Sequence, residues 1–367
     1  MKPVKTAVIG CGAISDIYLS NMMKKFKNLD VVSCSASHRE HAENKAAQYG
    51  IRAAATEEIF MDPAIELVVV LTPAPSHYEL VKNALLAGKH VYTEKTIAVS
   101  LSQAQELVAL ADEKGLRLGA APETFMGSAF QTARKALDEG MLGDLTSFHI
   151  TANRDLTFLA SLFKFLRLPG GGICYDYGVY YLTALVSLLG PVDQVFARVG
   201  NYAKHRTNMI PYSPEYGVEY IYDNEAQVNA LLTLKNGVTG TFSLNGDSAI
   251  EDLAYFTLQG TKGILTLGDA NQFGGEIRFL HNDPQKCKWQ KLKPVSTLSD
   301  NCRGVGVADL ARSIREGGTH QVDAKMGCHV LDVIEKIIQS GKTGQLADTE
   351  TVCERPAPFT NWKDLLQ

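Results

Sequence analysis

Through residues 4–123 the hydrophobic positions follow two alternating patterns. Short, mostly apolar runs give way to stretches in which apolar residues recur every three or four positions. "VKTAVI" (4–9) is a run of the first kind and ends at Gly10; Ile14, Ile17, Tyr18, Met22 and Phe26 then keep helical spacing over 13–27. "VVSCSA" (31–36) predicts a second strand, and the helix after it runs to about 49 and stops at Gly50. "ELVVVLTP" (66–73) reads as a buried strand, "SHYELVKNALLAGK" (76–89) as a helix, "HVYTEK" (90–95) as a strand and "SLSQAQELVALADEKG" (100–115) as a helix, before "RLGAAPE" (117–123) closes the series. Strand alternating with helix predicts a doubly wound parallel sheet wrapped by helices, an α/β domain over residues 1–124.

Beyond about residue 125 the rhythm changes. A helix at roughly 128–140 leads into the alternating strand "LTSFHITAN" (145–153). Further on, "QVFARVG", "AQVNALLTLKNGVTGTFSLNG", "LAYFTLQGTKGILTLG" and "GEIRFL" are strands joined by tight turns, with "KNG" (235–237) a hairpin signal. Strands that follow strands predict a large, mostly antiparallel sheet, so residues 125–367 form an α+β domain. The late helices "VADLARSIREGG" (307–318) and "MGCHVLDVIEKIIQSG" (326–341) belong there or pack back on the first domain.

Composition narrows the function classes. A chain of 367 residues is long for one core, which agrees with two domains. A formal charge of -4 gives no reason to expect nucleic acid or an anionic membrane as partner. The seven cysteines are scattered without any C-x-x-C pair, which argues against a zinc site or a disulfide framework and fits free thiols in a reducing compartment. The apolar start is too short for a signal peptide, and the longest apolar stretch, 179–189, is too short to span a bilayer. A cytoplasmic protein is expected, with no metal.

Candidate chemistry begins at Gly10-x-Gly12-x-x-Ser15, between a predicted strand and a predicted helix. In that context the spacing signals dinucleotide binding: Gly10 turns the chain, Gly12 lets the backbone approach a pyrophosphate, and the helix start with Ala13 and Ile14 attracts negative charge. An acid at the end of the second strand would read the ribose hydroxyl of NAD. Here Ser37, His38 and Arg39 stand there, a set that suits a 2′-phosphate better and leans to NADP over NAD; the other reading is a solvated helix start. Thr72 and Pro73 lie at the carboxyl end of the next strand, and His77 follows as a cofactor neighbour or a packing histidine. Glu94 and Lys95 end the strand after that, either as tunable catalytic charges in a crevice or as a structural ion pair.

In "GGGICYDYGVYYL" (170–182) the glycines let the chain bend close to ligand, and helical spacing puts Asp176 and Tyr180 on one face. With Lys95 these two would form a proton relay; otherwise Asp176 pairs locally and Tyr180 is core.

Four stretches in order, "AVIGCGAIS", "LTPAPSHYELVKNALLAGKHVYTEKTIA", "GGGICYDYGVYYLTALVSLLGPV" and "HVLDVIEKI", resemble the Gfo/Idh/MocA oxidoreductases over nearly the whole chain. The resemblance implies an N-terminal Rossmann domain, a C-terminal domain with an open sheet, and a homodimer or homotetramer made through that sheet. Glu94 and Lys95 match the family's E-K-P motif, whose lysine is catalytic, and Asp176 matches the acid after the glycines. Thr96 stands where the family usually has proline, often with a cis bond. Tyr180 stands where inositol dehydrogenases carry histidine; glucose–fructose oxidoreductase and dihydrodiol dehydrogenase relatives are similar to this chain in carrying tyrosine.

The implied activity is hydride transfer between nicotinamide, NADP or NAD, and a secondary alcohol or ketone of a sugar, glycoside or cyclitol. Either Tyr180 takes the hydroxyl proton with Lys95 lowering its pKa, or Lys95 is the base and Tyr180 a donor to the ring; Asp176 orients the substrate or Lys95. Glu123, Asn153, Arg154, Tyr177 and the tyrosine-rich loop 202–222 are expected to touch substrate. Two alternatives stand beside this reading: a redox-neutral sugar-converting enzyme with a tightly held cofactor, and a non-catalytic NAD(P)-binding sensor.

Overall fold

The structure is a computed structural model and describes residues 2–249 and 253–367. The chain divides into two compact units: Met1–Met126, Asn301–Cys328 and Phe359–Gln367 form the first, Gly127–Asp300 and His329–Pro358 the second.

The first unit is α/β. Its strands are β1 (Val4–Ile9), β2 (Leu29–Ser35), β3 (Arg52–Ala53), β4 (Leu67–Val70), β5 (His90–Thr93) and β6 (Leu118–Ala120). They pair in parallel in the order β3-β2-β1-β4-β5-β6. Helices α1 (Ser15–Lys24), α2 (Arg39–Tyr49), α3 (Thr56–Met61), α4 (His77–Leu86) and α5 (Leu101–Glu113) make the connections. β4 is apolar at every position and fully buried, as a central strand covered on both faces must be. Strand order reverses between β1 and β4, and ligands of such sheets bind beyond the carboxyl ends of the strands at that point.

Two later segments complete this unit. Helix α9 (Val305–Glu316) receives the Asn28 side chain, whose Nδ2 donates to the Ala308 carbonyl at 2.8 Å. The segment before it accepts the Asn21 Nδ2 at the carbonyls of Asn301 and Arg303, each at 2.8 Å. Residues 359–367 close against the first connection, where Phe26 and Leu366 form an antiparallel bridge.

The second unit is α+β. Helices α6 (Ser128–Asp138), α7 (Leu156–Leu162) and α8 (Val179–Leu189) accompany strands β7 (Leu145–Asn153), β8 (Val192–Gly200), β9 (His205–Thr207), β10 (Glu219–Ile221), β11 (Gln227–Leu234), β12 (Thr239–Asn245), β13 (Ala254–Gly260), β14 (Gly263–Leu267), β15 (Arg278–His281), β16 (Gln290–Lys291) and β17 (Ala347–Asp348). Helix α10 (Ala324–Thr343) begins in the first unit and continues in the second. A nine-stranded sheet runs β16-β15-β14-β13-β7-β12-β11-β8-β17; only β7 with β12 is parallel. Burial alternates along β11, β12 and β13, so one face of the sheet is covered and the other open. Phe242 and Leu244 of the covered face pack on Gly178, just before α8, all of whose residues are buried. Among the described residues no helix is long and apolar enough to cross a membrane.

Candidate functional site

The loop after β1 is built for close approach. Gly10 has φ +109°, and a Cβ there would lie 2.8 Å from the Leu71 carbonyl carbon at the end of β4. At Gly12 a Cβ would meet nothing within 4 Å. Gly12 and Ala13 are exposed and Ile14 half-buried, immediately before α1 starts at Ser15. Open space above a bare backbone at a helix N-terminus, beside the β1–β4 reversal, fits a pyrophosphate. Ser15, in place of a third glycine, is buried and turns its hydroxyl back to the Gly12 carbonyl at 2.6 Å.

Ser37, His38 and Arg39 are all exposed beyond the end of β2. The Arg39 guanidinium is 87% exposed and pairs with Glu43 at 2.7 Å. An exposed pair one helical turn apart contributes little in water, so this arginine exchanges partners readily.

At the end of β4, Thr72 accepts a hydrogen bond from the Ser76 hydroxyl at 2.8 Å, and Pro73 is exposed. His77 is fully buried, with its Nδ1 2.6 Å from the Thr96 carbonyl and its Nε2 2.6 Å from the Thr72 carbonyl. Satisfying both carbonyls as donors requires the imidazolium, whereas burial holds its pKa below the ordinary value. The ring is therefore an internal tie between the ends of β4 and β5, with both nitrogens against backbone carbonyls.

Glu94 and Lys95 follow β5 directly. The Lys95–Thr96 peptide is cis although residue 96 is not proline. Glu94 is buried; its Oε1 accepts the Tyr18 hydroxyl at 2.7 Å and its Oε2 the Lys95 amide at 3.0 Å. Lys95 is half-buried. Glu123, beyond β6, was expected to touch substrate; it is 1% exposed, and its two oxygens accept the amides of Gly304 and Gly306 at 2.5 Å each. Burial pushes this carboxyl up to about 7 against those two bonds.

In the second unit, residues 174–178 form a π-helical turn that runs into α8. Such a turn holds an extra residue, so the plain α-helical spacing expected between Asp176 and Tyr180 is altered; turns of this kind are frequent at functional sites. Asp176 is half-buried and Tyr180 buried. The expected opening of the glycines onto ligand is replaced at two positions by internal packing: a Cβ at Gly171 would lie 2.2 Å from the Leu166 carbonyl oxygen, and one at Gly172 would lie 2.0 Å from Glu225 Oε1. Glu225 accepts the Cys174 amide at 3.1 Å at the start of the π turn, and burial pushes its pKa up to about 7.

Tyr177 is 1% exposed and donates to Asp269 Oδ1 at 3.1 Å. Tyr181 donates to the same oxygen at 2.7 Å. The Arg154 guanidinium covers the Tyr177 ring at 4.0 Å, and its buried Nε has no hydrogen-bond partner among the described residues. Asn153 is buried and donates to the Ser248 hydroxyl at 3.1 Å. Arg154 and Tyr177 are thus brought together, while Tyr177 directs its hydroxyl inward. The tight partners Tyr18, Tyr92, Glu225 and Asp269 carry no local signal in the sequence.

Comparison with known proteins agrees with the two-part fold. Residues 4–121 match the model of the Gfo/Idh/MocA oxidoreductase family, NAD-binding Rossmann fold. Residues 130–266 match the Gfo/Idh/MocA C-terminal domain. An uncharacterized oxidoreductase, C26H5.09c of Schizosaccharomyces pombe, is 32% identical over 208 residues; the match spans 54% of this chain and 55% of that protein, about half of each. The scyllo-inositol 2-dehydrogenase (NADP(+)) IolW of Bacillus subtilis is 24% identical over 353 residues, 92% of this chain and 94% of that one. Levoglucosan dehydrogenase, solved with NADH and levoglucosan, superimposes with a TM-score of 0.83 at 18% identity, covering 96% of this chain and 100% of that one, which speaks to the fold. From its glycine loop through its nine-stranded sheet, the chain belongs to the Gfo/Idh/MocA family of NAD(P)-binding oxidoreductases.

Proposed function

We propose that this protein is a dehydrogenase or reductase that interconverts a secondary alcohol and a ketone on a sugar, glycoside or cyclitol. The observation that carries the reading is the placement of Lys95 in the first unit. It lies two residues beyond β5, on the same edge of the sheet as the Gly10–Gly12 loop and one strand from the β1–β4 reversal. The names of the inositol and levoglucosan dehydrogenases favour a polyhydroxylated ring as substrate class.

Gly12, Ala13, Ile14 and the start of α1 would hold the pyrophosphate, with Thr72 and Pro73 beside it. When bound, the nicotinamide supplies the hydride acceptor or donor. The chain's own work is proton handling. Tyr180 takes the proton of the substrate hydroxyl, and the Lys95 ammonium stabilises the oxygen that carries the developing negative charge. Asp176 orients the hydroxyl. Arg154, with an unsatisfied buried nitrogen, reaches for a ring hydroxyl beside Asn153.

NADP is the proposed cofactor, because Ser37, His38 and the loosely held Arg39 can take a 2′-phosphate and no acid occupies that strand end. The open face of the large sheet is the proposed homo-oligomer interface: Phe196 and Leu231 are direct cross-strand partners, 39% and 56% exposed.

The test is absorbance at the reduced-nicotinamide band with NAD and NADP, against a panel of inositols, aldoses, glycosides and their keto forms. Turnover with one ring class is expected. Silence with cofactor bound would overturn the dehydrogenase in favour of a redox-neutral enzyme or a sensor.

A further inference from the structure

Asp269 lies two residues beyond β14, within the second unit, and is half-buried. One of its oxygens is fully engaged. Oδ1 accepts the Tyr181 hydroxyl at 2.7 Å, the Asn271 amide at 2.9 Å and the Tyr177 hydroxyl at 3.1 Å. Burial, and after it the Asp269 charge, pushes Tyr177 up to about 12 and Tyr181 higher still, so both hydroxyls keep their protons and act as donors. Three donors on one oxygen fix the carboxylate in place. Oδ2 has no hydrogen-bond partner among the described residues.

Arg154, the first residue beyond β7, stands on the other side of the same tyrosine. Its guanidinium covers the Tyr177 ring at 4.0 Å, and its buried Nε has no partner among the described residues. The cation over the ring and the anion at the hydroxyl are thus held apart by Tyr177 and make no ion pair with each other. Each keeps unused hydrogen-bonding capacity: an acceptor on Asp269 and a donor on Arg154. Tyr177 shares its π turn with Asp176, the acid proposed above to orient the substrate hydroxyl.

A gap between a fixed carboxylate oxygen and a guanidinium is neutral overall. A hydroxyl both donates and accepts, so two neighbouring hydroxyls satisfy both sides. A carboxylate or phosphate would meet the Asp269 charge there, and an ammonium the Arg154 charge.

We propose that Asp269 is a specificity-determining residue whose Oδ2 accepts one hydroxyl of a neutral ring while Arg154 donates to the adjacent one, so that the substrate carries a free vicinal diol. Tyr177 and Tyr181 are positioning residues, since they hold the carboxylate and leave the ring to it. The proposal rests on the reading of the activity given above and narrows its substrate class. A site that hydrogen-bonds a hydroxyl rejects the analogue lacking it, because its own polar groups are then left unpaired.

The experiment titrates the full chain, with NADP and with NAD, by saturation-transfer NMR. The probes are scyllo-inositol, myo-inositol, levoglucosan and glucose, each beside analogues lacking a single hydroxyl. At least one ring should bind, and removing one hydroxyl of one adjacent pair should weaken it about tenfold or more. D269N should lose about as much for the full ring and little further for that deoxy analogue; R154M should behave alike at the neighbouring hydroxyl. A merely structural Asp269 would instead weaken ring and deoxy analogue by the same factor. That result, native affinity in either variant, or a panel in which no ring binds, overturns the proposal. Should D269N fail to fold, R154M alone decides by the same comparison. Binding needs no hydride transfer, so coupled binding without turnover would sink the dehydrogenase and leave the diol clamp standing, and turnover without the coupling would do the reverse.

Discussion

Gly10 and Gly12 lie two positions apart and do different jobs. A side chain at residue 10 would run into the Leu71 backbone from a left-handed φ, so G10A should destabilise the fold by about 2 kcal/mol or more, read by chemical denaturation. A methyl at residue 12 enters open space. G12A should keep the native melting temperature and weaken NAD(P) binding by about tenfold or more, near 1.4 kcal/mol, in a fluorescence titration. K95A should bind cofactor normally and lose turnover by about a hundredfold or more. R39E should shift the cofactor preference from NADP towards NAD, measured as the ratio of their kcat/KM values. The tight turn at Gly10 was legible in the sequence because its signal is local, a glycine pair between strand and helix. Tyr18, Tyr92 and Asp269 were not. Tyr18 meets Glu94 across 76 residues and Tyr181 meets Asp269 across 88, and no periodicity encodes such pairings. Glu123 was expected to touch substrate; its carboxyl is held by backbone amides 181 and 183 residues away, which no local pattern announces.

At the level of elements, hydrophobic rhythm recovered the parallel sheet, four of the five helices that connect it and the open antiparallel sheet, and it passed over the short α3. It missed β3, two residues long and without an apolar run, and it could not register the π turn, because one extra residue in a turn leaves the surrounding apolar spacing readable as α-helix. That turn starts on Glu225. A carboxyl raised from 4.5 to about 7 in the folded state keeps a proton that the unfolded chain releases, so its contribution to stability is full at low pH and is lost as pH rises from about 4.5 to about 7. The span corresponds to on the order of 3 kcal/mol. E225Q should flatten this part of the stability–pH curve in urea titrations, and Glu123 should contribute a slope of the same sign. On the open sheet face, L231E should convert the proposed oligomer to monomer in light scattering without unfolding the strand, since position 231 already faces solvent in the single chain.

For the whole molecule, a ligand that binds only the folded state stabilises it by about 2.7 kcal/mol at a hundred times its dissociation constant. Thermal shifts with NADP and NAD should therefore rank the two cofactors before any substrate is known, with NADP giving the larger shift. The two-domain plan was legible from the change of rhythm near residue 125. The sequence left two places open for the late helices, because the contacts that bring residues 301–328 to the first unit, such as Asn28 to Ala308, join polar groups that look like surface, and the return of residues 359–367 was not read at all.

That discontinuous construction has a consequence for how the protein is made. On the ribosome the first 126 residues emerge long before their partners, and at about 5–20 residues per second the wait is on the order of ten seconds or more. During it, Asn21 and Asn28 lack their carbonyl acceptors, Phe26 lacks its strand mate, and Glu123 lacks the amides of Gly304 and Gly306. The nucleotide half is thus translated first and finished last, and chaperones that guard nascent chains should find it open until residues 359–367 arrive.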